Sequence, residues 1–86
     1  MRPYIARFEF DDFNSEEMAK HGVTEREVNQ VLNGENPRIV RNKNEHAEKQ
    51  PYVMIGLTDG GRKLYIPIGP VDSEPGLWRP ATAWTP

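Results

Sequence analysis

The 86-residue sequence contains no cysteine, no long apolar run and no excess of positive charge. Without cysteine, neither a disulfide framework nor a thiolate metal site can hold the chain together. No segment approaches the length that crosses a bilayer, and the opening Met1-Arg2-Pro3-Tyr4 lacks the apolar run of a signal peptide. The expectation is a soluble cytoplasmic protein with no membrane partner. Lys and Arg number 11 against 13 Asp and Glu, a net charge of −2. That balance gives no general support for phosphate binding and leaves only a local basic patch to provide it. The two histidines, with scattered carboxylates, show no metal-ligand spacing, and there is no Gly-rich phosphate loop, so neither a metal nor a cofactor is expected. Ser15 and Ser73 lie in ordinary polar contexts, and nothing points to a serine hydrolase.

What is present is one small domain, residues 1–86, with no internal repeat and no composition break. Its stability should be on the order of 4–13 kcal/mol. The stretch from Lys20 to Glu27 organises the reading. Gly22 suits the left-handed end of a helix, and Thr24 with Glu27 three residues later forms a capping box for the next. Val23 and Val28 suit a hydrophobic staple around that cap.

Tyr4 to Phe10 alternates as a half-buried strand. Asn14 with Glu17 is the best-spaced cap, predicting a helix from about Ser15 to His21 with Lys20 and His21 in its last turn. The second helix runs from Glu25 to about Asn33, with Val28, Val31 and Leu32 as its core stripe and Gly34 as its stop. Arg38 to Asn42 is a short strand candidate after Pro37, and Arg41 to Gln50 reads as a solvated connection. Val53, Ile55 and Leu57 alternate with Tyr52, Met54 and Gly56, and Leu64, Ile66 and Ile68 repeat the alternation after Asp59-Gly60-Gly61, which predicts a hairpin. Leu77 to Trp84 can return as a last strand, where Pro80 requires an edge position or a bulge. The result is an α+β domain of order β-α-α-β-β-β, with two N-terminal helices packed on one face of a mostly antiparallel sheet.

Phe8-Glu9-Phe10-Asp11, Lys20-His21-Gly22-Val23-Thr24 with Glu27, and Gly61-Arg62-Lys63-Leu64 occur in this order. Together they resemble the BrnT-like toxins of bacterial type II toxin–antitoxin systems. The resemblance implies a RelE-like fold and a metal-independent ribonuclease that arrests growth by cleaving RNA. It also implies a cognate antitoxin partner carrying a ribbon-helix-helix domain. The family's last strand runs through an arginine to a serine-alanine-arginine ending. Here Arg79-Pro80-Ala81-Thr82-Ala83-Trp84 keeps the first arginine and puts Trp84 in place of the second.

RNA cleavage needs a base, positive charge at the phosphate and an acid for the leaving oxygen. The candidate catalytic residues are Arg79, Arg62, Lys63, Tyr65, His21 and His46. Each also has a plain structural role open to it. His21 can serve as a helix-end cation, and His46 can sit with Arg41, Lys43 and Lys49 in a solvated loop. Arg62 and Lys63 can guard a hairpin end, while Arg79 can stack on Trp78 or pair with Asp72 or Glu74. Trp78, Trp84 and Tyr65 can stack on bases, although Trp78 suits the core and Trp84 a sheet edge or partner. The alternative function is a catalytically inactive, toxin-like binding module that holds a protein partner through the sheet and its Trp-bearing C-terminal strand; a homo-oligomer is a separate option that the sequence leaves open.

Overall fold

The fold follows from a computed structural model that describes residues 3–44 and 47–86. Seven elements occur in the order β1 (Arg7–Phe8), α1 (Asp12–Ala19), α2 (Glu25–Leu32), β2 (Arg38–Arg41), β3 (Tyr52–Leu57), β4 (Lys63–Pro70) and β5 (Leu77–Pro80). The class is the expected α+β. Four strands follow the helices instead of three, because Arg38–Arg41 pairs fully with β3. The five strands form one sheet of order β1-β5-β4-β3-β2, antiparallel except where β1 runs parallel to β5.

The Lys20–Glu27 corner forms as its residues dictate. Gly22 adopts φ 70°. Val23 N–H bonds Met18 O at 3.0 Å and Gly22 N–H bonds Ala19 O at 3.0 Å, the paired bonds of a Schellman motif. Thr24 caps α2, accepting from Glu27 N–H at 3.2 Å while its own N–H donates to the Glu27 carboxylate at 3.1 Å. Val23 and Val28 are both buried, as a staple requires.

The first helix departs from the sequence reading at both ends. It spans Asp12–Ala19 instead of Ser15–His21, which leaves Lys20 and His21 beyond its last turn. Its cap is Asp11, paired with Asn14 three residues on, instead of Asn14 paired with Glu17. The reason lies in Asn14, which is fully buried and commits its amide to distant carbonyls: Nδ2 donates to Glu9 O at 3.0 Å and to Pro80 O at 2.9 Å. Glu17 pairs instead with Lys20 at 3.3 Å. Met18 is the one buried hydrophobic residue of α1, so this helix is held mainly through its two ends.

The core lies between the helices and one sheet face. Met18, Val28 and Val31 meet Met54, Leu64, Ile66, Ile68, Phe8, Trp78 and Ala83. Residues opposite one another in an antiparallel ladder share a face. The register Met54↔Ile66 and Gly56↔Leu64 therefore puts the Tyr52, Met54 and Gly56 set of β3 on the core side. Gly56 decides this: a Cβ there would stand 2.9 Å from Val31 Cγ1, so α2 crosses where β3 has no side chain. Val53, Ile55 and Leu57 consequently face away from the helices.

The Tyr4–Phe10 alternation shrinks to a two-residue strand, since Asp11 already caps α1. The hairpin turn closes with Thr58 N–H to Arg62 O and Gly61 N–H to Thr58 O, both at 2.9 Å. Pro80 is accommodated because it sits at the end of β5 with its carbonyl turned to Asn14. A bulge follows. From Ile68 to Tyr65 is three steps along β4, whereas from Pro80 to Trp84 is four steps along the partner segment. One extra residue reverses every side chain beyond it. Ala83 is thereby buried in the core, and Trp84 emerges on the opposite face.

Candidate functional site

The sheet face away from the helices gathers the chemistry. On β4 it carries Lys63 and Tyr65, and on β3 their ladder partners Leu57 and Ile55. Trp84 joins Tyr65 through a two-way bridge, with Tyr65 N–H to Trp84 O at 2.8 Å and Trp84 N–H to Tyr65 O at 3.0 Å. Their rings meet edge to face at 6.1 Å and 79°. Lys63 Nζ lies 5.6 Å from the Tyr65 ring centroid. Arg38, opposite Ile55, adds a second cation to this face. Among the described residues neither Lys63 nor Arg38 has a carboxylate partner. Leu57 is 59 % exposed, which leaves this corner of the sheet open.

Arg79 lies opposite Gly69 and so belongs to the same face. It pairs with neither Asp72 nor Glu74. Its Nε and Nη2 bond the two Asp11 carboxylate oxygens at 2.9 and 3.2 Å, and its guanidinium sits 6.0 Å from the Phe13 ring centroid. Arg79 therefore braces the cap of α1 from the sheet. Trp78 joins the core, its indole N–H donating to Tyr4 O at 2.9 Å, and Glu74 pairs with Arg7.

Arg62 turns away from this face to the helix corner. Its Nη1 donates to Gly22 O at 2.8 Å and to Glu27 Oε2 at 3.1 Å, while Nη2 reaches His21 O at 3.3 Å. It satisfies carbonyls that the end of α1 leaves open and ties the hairpin to both helices. The His21 side chain is exposed beside this clasp and makes no hydrogen bond among the described residues. His46 lies outside the described residues. Of the six residues singled out in the sequence, Lys63, Tyr65 and Arg79 share one face, and Arg62 and His21 meet at the corner. Ile55 and Leu57 were missed as surface residues; the signal was Gly56, whose missing side chain assigns the other set to the core.

Replacing Arg62 with alanine should lower the unfolding free energy by about 1–2 kcal/mol, with lysine recovering only part of it, because one ammonium cannot span two carbonyls and a carboxylate. Urea denaturation checks this. The acid side of the stability curve reports the same bonds. Burial acts to raise the Glu27 carboxyl, but the Thr24 N–H and Arg62 outweigh it and hold the group below its ordinary 4.5. Arg79 and the Asn14 N–H hold Asp11 below 3.8. A carboxyl depressed in the folded state contributes stability that is fully present above its unfolded value and is lost as pH falls through its folded value. The urea midpoint should accordingly stay level from pH 7 to about 5 and fall below about pH 4, with a shallower fall in Arg62→Ala.

A depression of about 550 Å³ lined by Arg26, Asn29, Gln30, Asn33, Gly34 and Asp59 lies between α2 and the hairpin turn. It is polar and wide open, and none of the aromatic residues reaches it. Among the described residues no group of three or more His, Asp or Glu stands together to hold a metal, and no helix is long and apolar enough to cross a membrane. In comparisons with family models, curated proteins and solved structures, nothing matches the chain.

Proposed function

We propose that the protein acts through the helix-free sheet face on single-stranded RNA, as a toxin-type ribonuclease of the kind its BrnT-like motifs imply. The observation that carries this reading is the row Lys63, Tyr65, Trp84: a cation with no carboxylate partner among the described residues, over one aromatic ring that abuts another. Bases stack on such rings regardless of sequence, and the ammonium neutralises a neighbouring phosphate. Trp84, which takes the place of the family's second arginine, exchanges a phosphate contact for a stacking surface. Cleavage would draw positive charge from Lys63 and a proton relay from Tyr65. A cognate antitoxin covering this face would silence it.

The test is induced expression in bacteria with growth and total RNA followed together. The reading predicts arrest and RNA loss, both relieved by Lys63→Glu in a protein that remains folded. A second reading is favoured by one observation: Arg62 and Arg79, the strongest phosphate grips available, are spent inside the molecule. In that reading the face is a binding module that holds a protein partner through Ile55, Leu57 and Trp84. Normal growth at high levels of folded protein would select it.

A further inference from the structure

The outer edge of the sheet is a separate surface. The ladder bond from Asn42 N–H to Pro51 O, at 2.9 Å, fixes which residues of β2 point inward. Bonding alternates along an antiparallel strand, so Arg38 and Val40 turn their backbone groups to β3 while Ile39 and Arg41 turn theirs outward. Among the described residues nothing bonds the outward N–H and C=O groups of Ile39 and Arg41. The edge reads Arg-Ile-Val-Arg, apolar in the middle and cationic at both ends.

We propose that β2 accepts an added antiparallel strand from a protein partner whose matching segment reads acid, apolar, apolar, acid. Main-chain bonds to Ile39 and Arg41 supply the pairing, and side-chain complementarity supplies the choice. In the centred register an acidic residue stands opposite each of Arg38 and Arg41, and apolar residues stand opposite Ile39 and Val40. Opposite charges directly across a ladder stabilise it. The same geometry favours such a partner over a second copy of this chain. Ladder bonds join residues that both turn their backbone groups outward, so two β2 strands about a two-fold axis pair Ile39 or Arg41 of one with Ile39 or Arg41 of the other, and no carboxylate stands opposite either arginine. This edge lies beyond β3 from Lys63 and Tyr65 and shares only Arg38 with the RNA-facing side.

The experiment titrates the 15N-labelled full chain with a synthetic peptide containing Glu-Val-Val-Glu between threonines. Saturable shifts at the Ile39 and Arg41 amides are expected, weakening as salt is raised. Lys-Val-Val-Lys in the same frame should bind at least roughly tenfold less tightly, since two favourable pairs become two unfavourable ones. Arg41→Pro removes one outward donor without touching the ladder to β3 and should abolish the shifts while the rest of the spectrum stays in place. Arg38→Glu with Arg41→Glu should reverse the preference to the lysine peptide, which covers the case in which the proline variant fails to fold. Equal binding of both peptides, shifts confined to the Lys63–Trp84 face, or dimerisation through β2 would each overturn the proposal.

Discussion

Replacing Asn14 with alanine lowers the unfolding free energy by about 3–5 kcal/mol, the largest loss expected from any polar side chain among the described residues. Three bonds go at once: Nδ2 to Glu9 O, Nδ2 to Pro80 O, and Asp11 N–H to Oδ1. The carboxamide is fully buried, so water cannot simply take its place. Each buried group left without a partner costs on the order of 1–3 kcal/mol. The loss is compounded because α1 has a single buried hydrophobic side chain to hold it once its first turn comes loose. Asn14→Asp should do no better despite its shape, since it turns a carboxylate oxygen toward two carbonyls and stands beside Asp11. Urea unfolding followed through the buried Trp78 reads both variants. With a total stability on the order of 4–13 kcal/mol, either change takes a large share and would leave a partly unfolded population at 37 °C.

The second large effect concerns binding. Trp84→Ala should weaken single-stranded RNA binding by about 1–3 kcal/mol, which is roughly 5- to 150-fold, because it removes a stacking surface and frees the Tyr65 ring it abuts. Tyr65→Ala should cost a similar factor, and Lys63→Ala less, with a reduced dependence on salt. Stability should change little in the Lys63 variant, since its side chain is exposed and makes only a ring contact. Fluorescence anisotropy of a labelled oligonucleotide, with urea melts alongside, separates lost binding from lost fold. Arg79→Ala is the less informative variant: it breaks the Asp11 pair and loosens α1, so any loss of function would be confounded with loss of structure.

The difference between what was readable in the sequence and what was not follows from sequence distance. The corner from Lys20 to Glu27 was legible because glycine stop, threonine cap and valine staple act over five or six residues. The hairpin was legible for the same reason. Asn14 was misread as a cap partner of Glu17 because the carbonyl that claims it, Pro80 O, lies 66 residues away. Arg62 and Lys63 are adjacent in sequence and read as a pair, yet alternation along the strand sends them in opposite directions, one to the helix corner and one to the open face. Pro80 did announce a bulge or an edge. Its consequence, that the extra residue buries Ala83 and turns Trp84 outward, depends on the register with Tyr65.

The corner itself is structural. Its glycine, its threonine and the arginine that clasps it account for one another, and His21 is placed there by the helix end. The functional claim rests on the opposite side of the sheet. The most direct measurement is an NMR titration of the 15N-labelled chain with a short single-stranded RNA at low salt. The account predicts shifts concentrated at Lys63, Tyr65, Ile55 and the Trp84 indole, reversed by added salt and needing a higher RNA concentration in Trp84→Ala. Shifts centred instead on Arg26, Asn29 and Asn33 beside α2, or a spectrum unchanged at saturating RNA, would contradict it.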